Sequence, residues 1–226
     1  MRDLDQKIIK FEYDKNLNNE DFFVSKSNKH VIDLLYNWPN WNKKFLNIIG
    51  EKFSGKTHLV NIFIKKHHGI KFESKFFKDE DLKKVKIYGN IVLENFDEKI
   101  DEKLIYTLIN IIEQDNKFLV ITSKTPVVNI NFKLDDLKSR LKNFLLQNIE
   151  QPDDDLIFAI IIKNLSDRQI SIDKKFIDYI IKRVDRSYSK IFDFIYKIDE
   201  ISLKKKKSID FKISSIAIKI GCVIYQ

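Results

Sequence analysis

The sequence predicts an α/β fold in which helices flank a parallel sheet, followed by a small helical module. Short apolar runs alternate with stretches of helical periodicity as far as residue 150, and a glycine-containing loop joins the first apolar run to the next helix. After Pro152 only helical periodicity continues. The length of 226 residues is sufficient for one compact domain with a small appendage.

Each element is predicted from its apolar spacing. Buried strands are expected at short apolar runs, at 45–49, 91–93, 118–121 and 145–149. Helices are expected where apolar residues recur every three or four positions, at 27–36, 56–66, 134–144, 153–165, 173–184 and 189–202. Asn28 and Asp101 are predicted N-caps, the latter of a helix with an apolar stripe from Leu104 to Ile112. Residues 213–225 fit either a helix or a strand.

These elements divide the chain into three expected regions. Residues 1–20 are polar and lack periodicity, apart from a small apolar cluster that includes Ile9 and Phe11, so we expect an extended arm. The α/β base is expected at 21–150 and the helical module at 151–226, because the apolar period changes near residue 150.

The composition restricts the class of protein. The 41 Lys and Arg exceed the 33 Asp and Glu and give a formal net charge of +8. This balance either favours a polyanionic partner, such as a nucleotide or nucleic acid, or reflects only a Lys-rich composition. The single cysteine, Cys222, excludes an internal disulfide, and no apolar run is long enough to cross a membrane. We therefore expect a cytoplasmic protein without membrane association.

The loop from Gly50 to Thr57, GEKFSGKT, fits the phosphate-binding pattern G-x-x-x-x-G-K-[ST] at every required position. Its two glycines let backbone N–H groups turn inward around phosphates, and Lys56 is placed to reach the β- and γ-phosphates. The Thr57 hydroxyl can ligate Mg²⁺, and the next helix directs its positive end at the phosphates. A glycine-bearing turn without a ligand is the alternative, but the flanking strand and helix favour the phosphate loop.

A second Mg²⁺ ligand is expected at the end of a neighbouring strand. Glu94 follows the apolar run 91–93 and is the candidate, although an acidic residue in this position is also common as a surface cap. The next residue, Asn95, has an amide where a carboxylate would activate water, and an amide cannot act as a base. Asp97 is the alternative carboxylate, two positions further on.

Five segments together resemble the DnaA family of AAA+ proteins. Residues 55–59, G-K-T-H-L, are similar to the end of that family's phosphate loop. Residues 21–28 resemble the family's segment beside the adenine, and residues 122–126 resemble the end of its sensor 1 strand. Residues 137–141 resemble the box that contains its arginine finger, and residues 151–154 resemble the start of its helical lid. The resemblance implies an AAA+ base with a helical lid that binds ADP or ATP with Mg²⁺.

The resemblance also implies roles for individual residues. Nucleotide contacts are implied for Phe23, Val24, Gly50, Ser54, Gly55, Lys56, Thr57 and His58, and Mg²⁺ ligation for Thr57 and Glu94. Sensor roles are implied for Ser123 and Lys190. Lys190 lies beside Ser189, which stands where the family has an arginine, and Arg186 is the alternative one turn earlier. Arg140 is implied as an arginine finger that acts on a nucleotide held by another protein.

Within the family, the chain is most similar to the Hda type, short DnaA paralogues without the C-terminal helix-turn-helix domain, and we expect no such domain here. Residues 38–41 and 94–97 resemble the alphaproteobacterial form. The implied function is repression of replication initiation. Such a protein binds the DNA polymerase III sliding clamp (its β subunit), reaches DNA indirectly through the clamp, and promotes hydrolysis of ATP bound to DnaA.

A clamp-binding peptide is expected in the arm. Gln6, Ile9 and Phe11 have the spacing of an extended segment that puts two apolar side chains into a pocket and an amide at its rim. The alternative is an amphipathic arm that folds back on its own domain.

Two other functions are alternatives. The first is an AAA+ ATPase that acts as a DnaA-like loader or remodeller of replication proteins. Three departures from the family pattern disfavour it: Phe53 in place of glycine, Asn95 in place of a carboxylate and Ser189 in place of an arginine. The second is a DNA-binding module that uses the positive charge, for which no groove-reading helix is evident. Self-association is compatible with all of these functions.

Overall fold

The computed structural model describes residues 22–168 and 174–205. The predicted arm and the ambiguous stretch 213–225 lie outside the described residues, as does the expected start of a helix at Asp173.

A five-stranded parallel sheet with the strand order β2-β3-β4-β1-β5 forms the centre of the base. Its strands are β1 (Phe45–Ile49), β2 (Ile70–Glu73), β3 (Asn90–Phe96), β4 (Phe118–Ser123) and β5 (Leu145–Asn148). The first strand lies between β4 and β5, so the loop that follows it begins inside the sheet rather than at an edge. An irregularity between Leu93 and Phe96 shifts the register of β3 against β4.

Eight helices accompany the sheet within the described residues. They are α1 (Lys29–Tyr36), α2 (Lys56–His67), α3 (Leu82–Val85), α4 (Glu102–Gln114), α5 (Asp135–Leu141), α6 (Asp154–Ser166), α7 (Lys174–Ile181) and α8 (Tyr188–Lys205). Short 3₁₀ turns occur at Ser74–Phe76, Asp79–Asp81 and Val127–Asn129.

The apolar side chains form two layers around the sheet and one cluster beyond it. Because successive strand residues point to opposite faces, Leu93 and Ile121 pack with α3, α4 and α5, whereas Val92 and Val120 pack with α1 and α2. A third cluster is built from apolar residues of α6, α7 and α8. The predicted fold class, a parallel sheet flanked by helices and followed by a helical region, is confirmed.

Two local features differ from the sequence predictions. Strand β2 was not predicted, because Ile70-Lys71-Phe72-Glu73 alternates apolar with charged residues instead of forming an apolar run. Asn28 occupies the N-cap position of α1, but its carboxamide oxygen accepts the Ser25 N–H and makes no capping bond to the helix. Asp101 does cap α4, since its carboxylate accepts the Leu104 N–H at 2.8 Å. No helix in the described ranges combines the length and apolarity needed to span a membrane.

Candidate nucleotide-binding site

The phosphate loop runs from the end of β1 to the start of α2 and depends on both of its glycines. A Cβ atom at Gly50 would lie 2.6 Å from the Ser54 hydroxyl oxygen, closer than real Cβ contacts allow. Gly55 has a φ of +91° and is the N-cap of α2, a left-handed conformation that glycine adopts without steric cost. The 12-residue helix α2 therefore begins directly at the loop, with its free N–H groups facing the position expected for phosphates.

Lys56 holds its ammonium inside this loop. Its Nζ donates hydrogen bonds to the carbonyl oxygens of Gly50 and Glu51, each at 2.7 Å. Burial, together with the positive charge of Lys124, lowers the pKa of Lys56 to about 8, while Glu94 and Glu51 act in the opposite direction. The buried ammonium of Lys56 thus donates to neutral carbonyl groups, which an anion such as a phosphate could replace as acceptors.

Phe53 gives the loop an unusual path. Its φ of +71° lies in the left-handed region, which costs a residue with a Cβ atom about 1–2 kcal/mol. Its ring packs on Phe192 of α8 with 4.7 Å between the ring centroids. Such aromatic pairs contribute about 0.5–1.5 kcal/mol, so the contact with α8 offsets much of the backbone strain.

Glu51 makes a second contact between the loop and α8. Its carboxylate accepts the Ser187 hydroxyl and the Tyr188 N–H, each at 3.0 Å, and so caps the N-terminus of this helix. The Tyr188 hydroxyl donates to the Glu150 carbonyl at 3.1 Å, and burial raises the pKa of Tyr188 to about 12. The loop is therefore attached to the helical region by its own side chains.

Glu94 is the buried carboxylate beside the loop. Only 3% of the residue is exposed, one carboxylate oxygen lies 2.8 Å from the Lys71 ammonium, and the other has no hydrogen-bond partner among the described residues. Thr57, in the first turn of α2, is exposed. A hydroxyl and an unsatisfied carboxylate oxygen are suitable ligands for Mg²⁺, so these residues fit the expected ion. The described residues contain no cluster of three or more His, Cys, Asp or Glu, so phosphates and water would complete its coordination.

Asn95, directly after Glu94, has a left-handed φ of +53°. Its N–H donates to the Thr122 hydroxyl at 3.0 Å, and its side-chain amide donates to both carboxylate oxygens of Glu73, at 2.9 and 3.2 Å. Asp97 instead accepts the Lys99 N–H in a local turn. The carboxylate next to Asn95 is therefore that of Glu73, which the sequence did not indicate because β2 went unrecognised.

The predicted sensor residues occupy different environments. Ser123 is buried, donates its hydroxyl proton to the Thr125 carbonyl at 2.6 Å and accepts a bond from the Asn47 amide at 2.9 Å. The next residue, Lys124, is exposed and lines a cavity of about 190 Å³ together with Gly50, Glu51 and Tyr188. Lys124 is thus the basic residue at this strand end that faces the loop.

The two basic candidates in the helical region also differ. Lys190 lies in the first turn of α8 and is half-buried. Arg186 is bound to Asp154, with 2.7 Å between the guanidinium and the carboxylate, and both side chains are at least half exposed. This ion pair directs Arg186 to the start of α6.

The segment preceding α1 approaches the loop through Phe22. A Cβ atom on Gly55 would lie 3.0 Å from the Phe22 ring, and this ring meets the His58 ring edge-on with 5.1 Å between centroids. His58 is buried, whereas Phe23 and Val24 are about half exposed. Phe22, which the sequence did not single out, therefore makes the contact between this segment and the loop, and the nucleotide contacts of Phe23 and Val24 stay a prediction.

Arg140 lies apart from these residues. It is on α5, in the layer opposite α2, where its guanidinium bonds to the Glu113 carboxylate and lies 5.2 Å from the centroid of the Tyr106 ring. The structure brings Lys56, Glu94 and Lys124 together at the carboxyl ends of the central strands. The clamp-peptide candidates Gln6, Ile9 and Phe11 lie outside the described residues.

Comparison with known proteins shows that the chain is similar to DnaA. No protein-family model matches the chain. The chain is 25% identical over 197 residues to the chromosomal replication initiator protein DnaA of Caldanaerobacter subterraneus, a match that covers 77% of this chain and 44% of that protein. The chain therefore spans less than half the length of this curated relative.

Two solved structures show the same architecture. Domain III of the Thermotoga maritima replication initiation protein DnaA superposes with a TM-score of 0.72 at 17% identity, covering 92% of this chain and 98% of that domain. AMPPCP-bound DnaA from Aquifex aeolicus superposes with a TM-score of 0.62 at 23% identity, covering 82% and 64%, respectively. The chain therefore has the fold of DnaA domain III.

Proposed function

We propose that this chain is a cytoplasmic, nucleotide-binding regulator of the DnaA family that represses replication initiation. In this proposal it holds ADP or ATP in the phosphate loop, binds the DNA sliding clamp, and promotes hydrolysis of the ATP bound to DnaA. The observation that carries the proposal is the site at the loop, where the buried Lys56 lies within electrostatic reach of Glu94 in β3 and the next residue, Asn95, replaces the carboxylate that hydrolysis needs.

Nucleotide binding is supported by the chemistry of the loop. Phosphate oxygens would replace the carbonyl groups that now accept from Lys56, and a charge-assisted bond is stronger than a bond to a neutral carbonyl. The first N–H groups of α2 and the side chain of Lys124 would add to the attraction. Thr57 and Glu94 would hold Mg²⁺, which neutralises phosphate charge when bound. The similar Aquifex aeolicus DnaA is AMPPCP-bound, which also supports this assignment.

Slow turnover of the bound nucleotide is expected from Asn95 and Ser189. The Asn95 amide donates hydrogen bonds and cannot accept a proton from water. Ser189 supplies no positive charge at the position where the family has an arginine. We therefore expect the nucleotide to be held rather than consumed, and the chemistry to take place at a partner's nucleotide.

In the proposal, Arg140 is the residue that this chain contributes to ATP hydrolysis on DnaA. Its layer is separated from α2 by the sheet, so it is poorly placed to serve the chain's own loop. Glu113 and Tyr106 hold the guanidinium at a partly exposed position on this outer surface. On contact with ATP-bound DnaA, phosphate oxygens would replace Glu113 as the acceptor, and Arg140 would stabilise the negative charge that develops during phosphoryl transfer.

The clamp would bring the partners together. In the proposal, the peptide around Gln6, Ile9 and Phe11 tethers the chain to clamp on DNA, with DNA contacted only through the clamp. Tethering raises the effective concentration of the base near DnaA, so the direct contact between the two proteins can be weak.

The experiment is DnaA ATP turnover on clamp-loaded DNA with wild-type chain and two variants. Arg140→Ala should abolish most of the stimulation, since arginine fingers contribute roughly 10³-fold or more to phosphoryl transfer. Lys142→Ala, an exposed basic residue following the same helix, should keep it. Full stimulation by Arg140→Ala would rule out the arginine-finger role.

An AAA+ ATPase that loads or remodels replication proteins is the second candidate function. One observation favours it: the Glu73 carboxylate, held by the Asn95 amide, lies beside the site and could polarise a water molecule in place of residue 95. This function requires ATP turnover by the isolated chain that Glu73→Gln and Lys56→Ala each abolish. Turnover no faster than in buffer would exclude it.

A further inference from the structure

The buried carboxylate of Glu94 forms an ion pair with Lys71. Its Oε2 lies 2.8 Å from Nζ of Lys71, and the Glu94 side chain is only 4% exposed. The same Nζ donates to the Asn61 side-chain oxygen at 2.7 Å. The ammonium is therefore fixed between α2, which carries Asn61, and β3, which carries Glu94.

The sheet register explains how the lysine reaches this position. Lys71 is paired with Val92 and Glu73 with Glu94, so the side chains of Lys71 and Glu94 lie on one face of adjacent strands. This is the face covered by α2, because Val92 packs in the same apolar layer as Leu59 and Phe63. The four-carbon stem of lysine spans the two residues along the strand direction toward the loop.

The ion pair changes what Glu94 needs from a metal ion. A buried carboxylate without a counter-ion is costly, and Mg²⁺ usually relieves that cost in a nucleotide site. Here Lys71 relieves it before any ligand binds, and Lys56 adds a second positive charge within electrostatic reach of the same carboxylate. A divalent ion that approaches the remaining oxygen of Glu94 would meet the repulsion of a fixed ammonium group.

We propose that Lys71 is a resident counter-ion of Glu94 that makes nucleotide binding at the phosphate loop nearly independent of Mg²⁺. The inference rests on the proposed nucleotide site and deepens it. Thr57 and the free oxygen of Glu94 still accommodate the ion, but its contribution to affinity is small because the charge it would neutralise is already paired.

The test is the affinity for ADP measured by calorimetry in excess Mg²⁺ and in EDTA. The wild-type Kd should change by about threefold or less between the two conditions, because Lys71 balances Glu94 in both. In Lys71→Gln the unpaired carboxylate should recruit the ion, and Mg²⁺ should strengthen ADP binding by about tenfold or more. Lys71→Arg, which keeps the charge, and Lys83→Gln, which removes an exposed lysine from α3, should both behave as wild type.

The outcomes separate the two proposals. A wild-type Kd for ADP that rises by clearly more than about threefold in EDTA would overturn the role of Lys71 and leave the nucleotide site intact. Failure of ADP to bind in both conditions would overturn the nucleotide site and this inference together.

Thermal unfolding provides a second readout that needs no nucleotide. Lys71→Gln should lower the Tm by several degrees, since it leaves a buried charge unpaired, and Lys71→Gln combined with Glu94→Gln should recover most of that loss. Strictly additive losses in the double variant would show that the two side chains do not depend on each other and would overturn the inference.

Discussion

At the scale of single residues, the charge of Lys56 depends strongly on its surroundings. Its pKa of about 8 in the folded chain is well below the usual lysine pKa of 10.5, mainly because the ammonium is buried in the loop. Below about pH 8 it is charged in both the folded and the unfolded chain. Between pH 8 and 10.5 the unfolded chain binds the extra proton, so this group makes the folded chain more stable as pH rises through that window.

Nucleotide affinity should have the opposite pH dependence. Phosphate groups need the charged form of Lys56, so the affinity for ADP should be constant below about pH 8 and should then fall by up to about tenfold per pH unit. Above pH 8, binding should also take up a proton, which calorimetry detects by comparing buffers of different ionisation enthalpy. Affinity that stays constant from pH 7 to 9.5 would contradict this assignment.

The surroundings of Lys56 could be predicted from the sequence, but those of Asn95 could not. A local motif places Lys56, because the glycines, the lysine and the following helix are contiguous. The Asn95–Glu73 pair joins two strands that are 22 residues apart, and one of them alternates apolar and charged residues. Long-range pairing of this kind is specified by the whole sheet and leaves no local signal.

At the scale of elements, the important feature is the direct contact between the phosphate loop and α8. Glu51 caps the helix and Phe53 packs against Phe192, so two loop residues hold the helical region through contacts that require no nucleotide. Sequence periodicity predicted α8 itself but not this contact, since both residues occupy variable positions of the phosphate-loop pattern.

Removal of the cap should loosen the start of α8. Glu51→Ala deletes an acceptor for Ser187 and Tyr188 and should cost about 1 kcal/mol of local stability, as N-cap losses do. Amide hydrogen exchange of residues 188–192 should then be about fivefold faster. Glu51→Gln, which keeps one acceptor oxygen, should show a smaller change.

Glu98→Ala is the matched control for this prediction, because it removes an exposed carboxylate that lies outside the loop and the helical region. Equal exchange rates at 188–192 in Glu51→Ala and Glu98→Ala would show that the capping bonds contribute nothing to the helix.

At the scale of the whole molecule, the described apolar residues form three clusters. One cluster lies on each face of the sheet, and the third lies between α6, α7 and α8. Tyr188 belongs to the α2 side of the sheet although it begins α8. Alternating apolar runs predicted the sheet and its helices, whereas the contact surfaces between the clusters depend on side-chain fit that periodicity does not encode.

The N-terminal arm, residues 1–20, is the basis of a prediction about binding of this chain to the sliding clamp. A peptide of residues 1–15 should bind the sliding clamp, and Gln6→Ala with Phe11→Ala should weaken that binding about tenfold or more, because anchor side chains dominate such interfaces. Fluorescence anisotropy of a labelled peptide measures both. Lys10→Ala, at a position of the motif that faces no pocket, should bind normally, and equal binding by the double variant would refute the clamp-binding role.

The left-handed backbone of Phe53 has a consequence for which sequences this loop tolerates. β-branched residues are strongly disfavoured at a φ of +71°, so a saturation library should lose Val, Ile and Thr at this position. Glycine would relieve the strain but would give up the ring contact with Phe192, and it should be accepted mainly where another substitution strengthens α8. Positions 53 and 192 are thus expected to constrain each other's choice of residue, although 138 positions separate them along the chain.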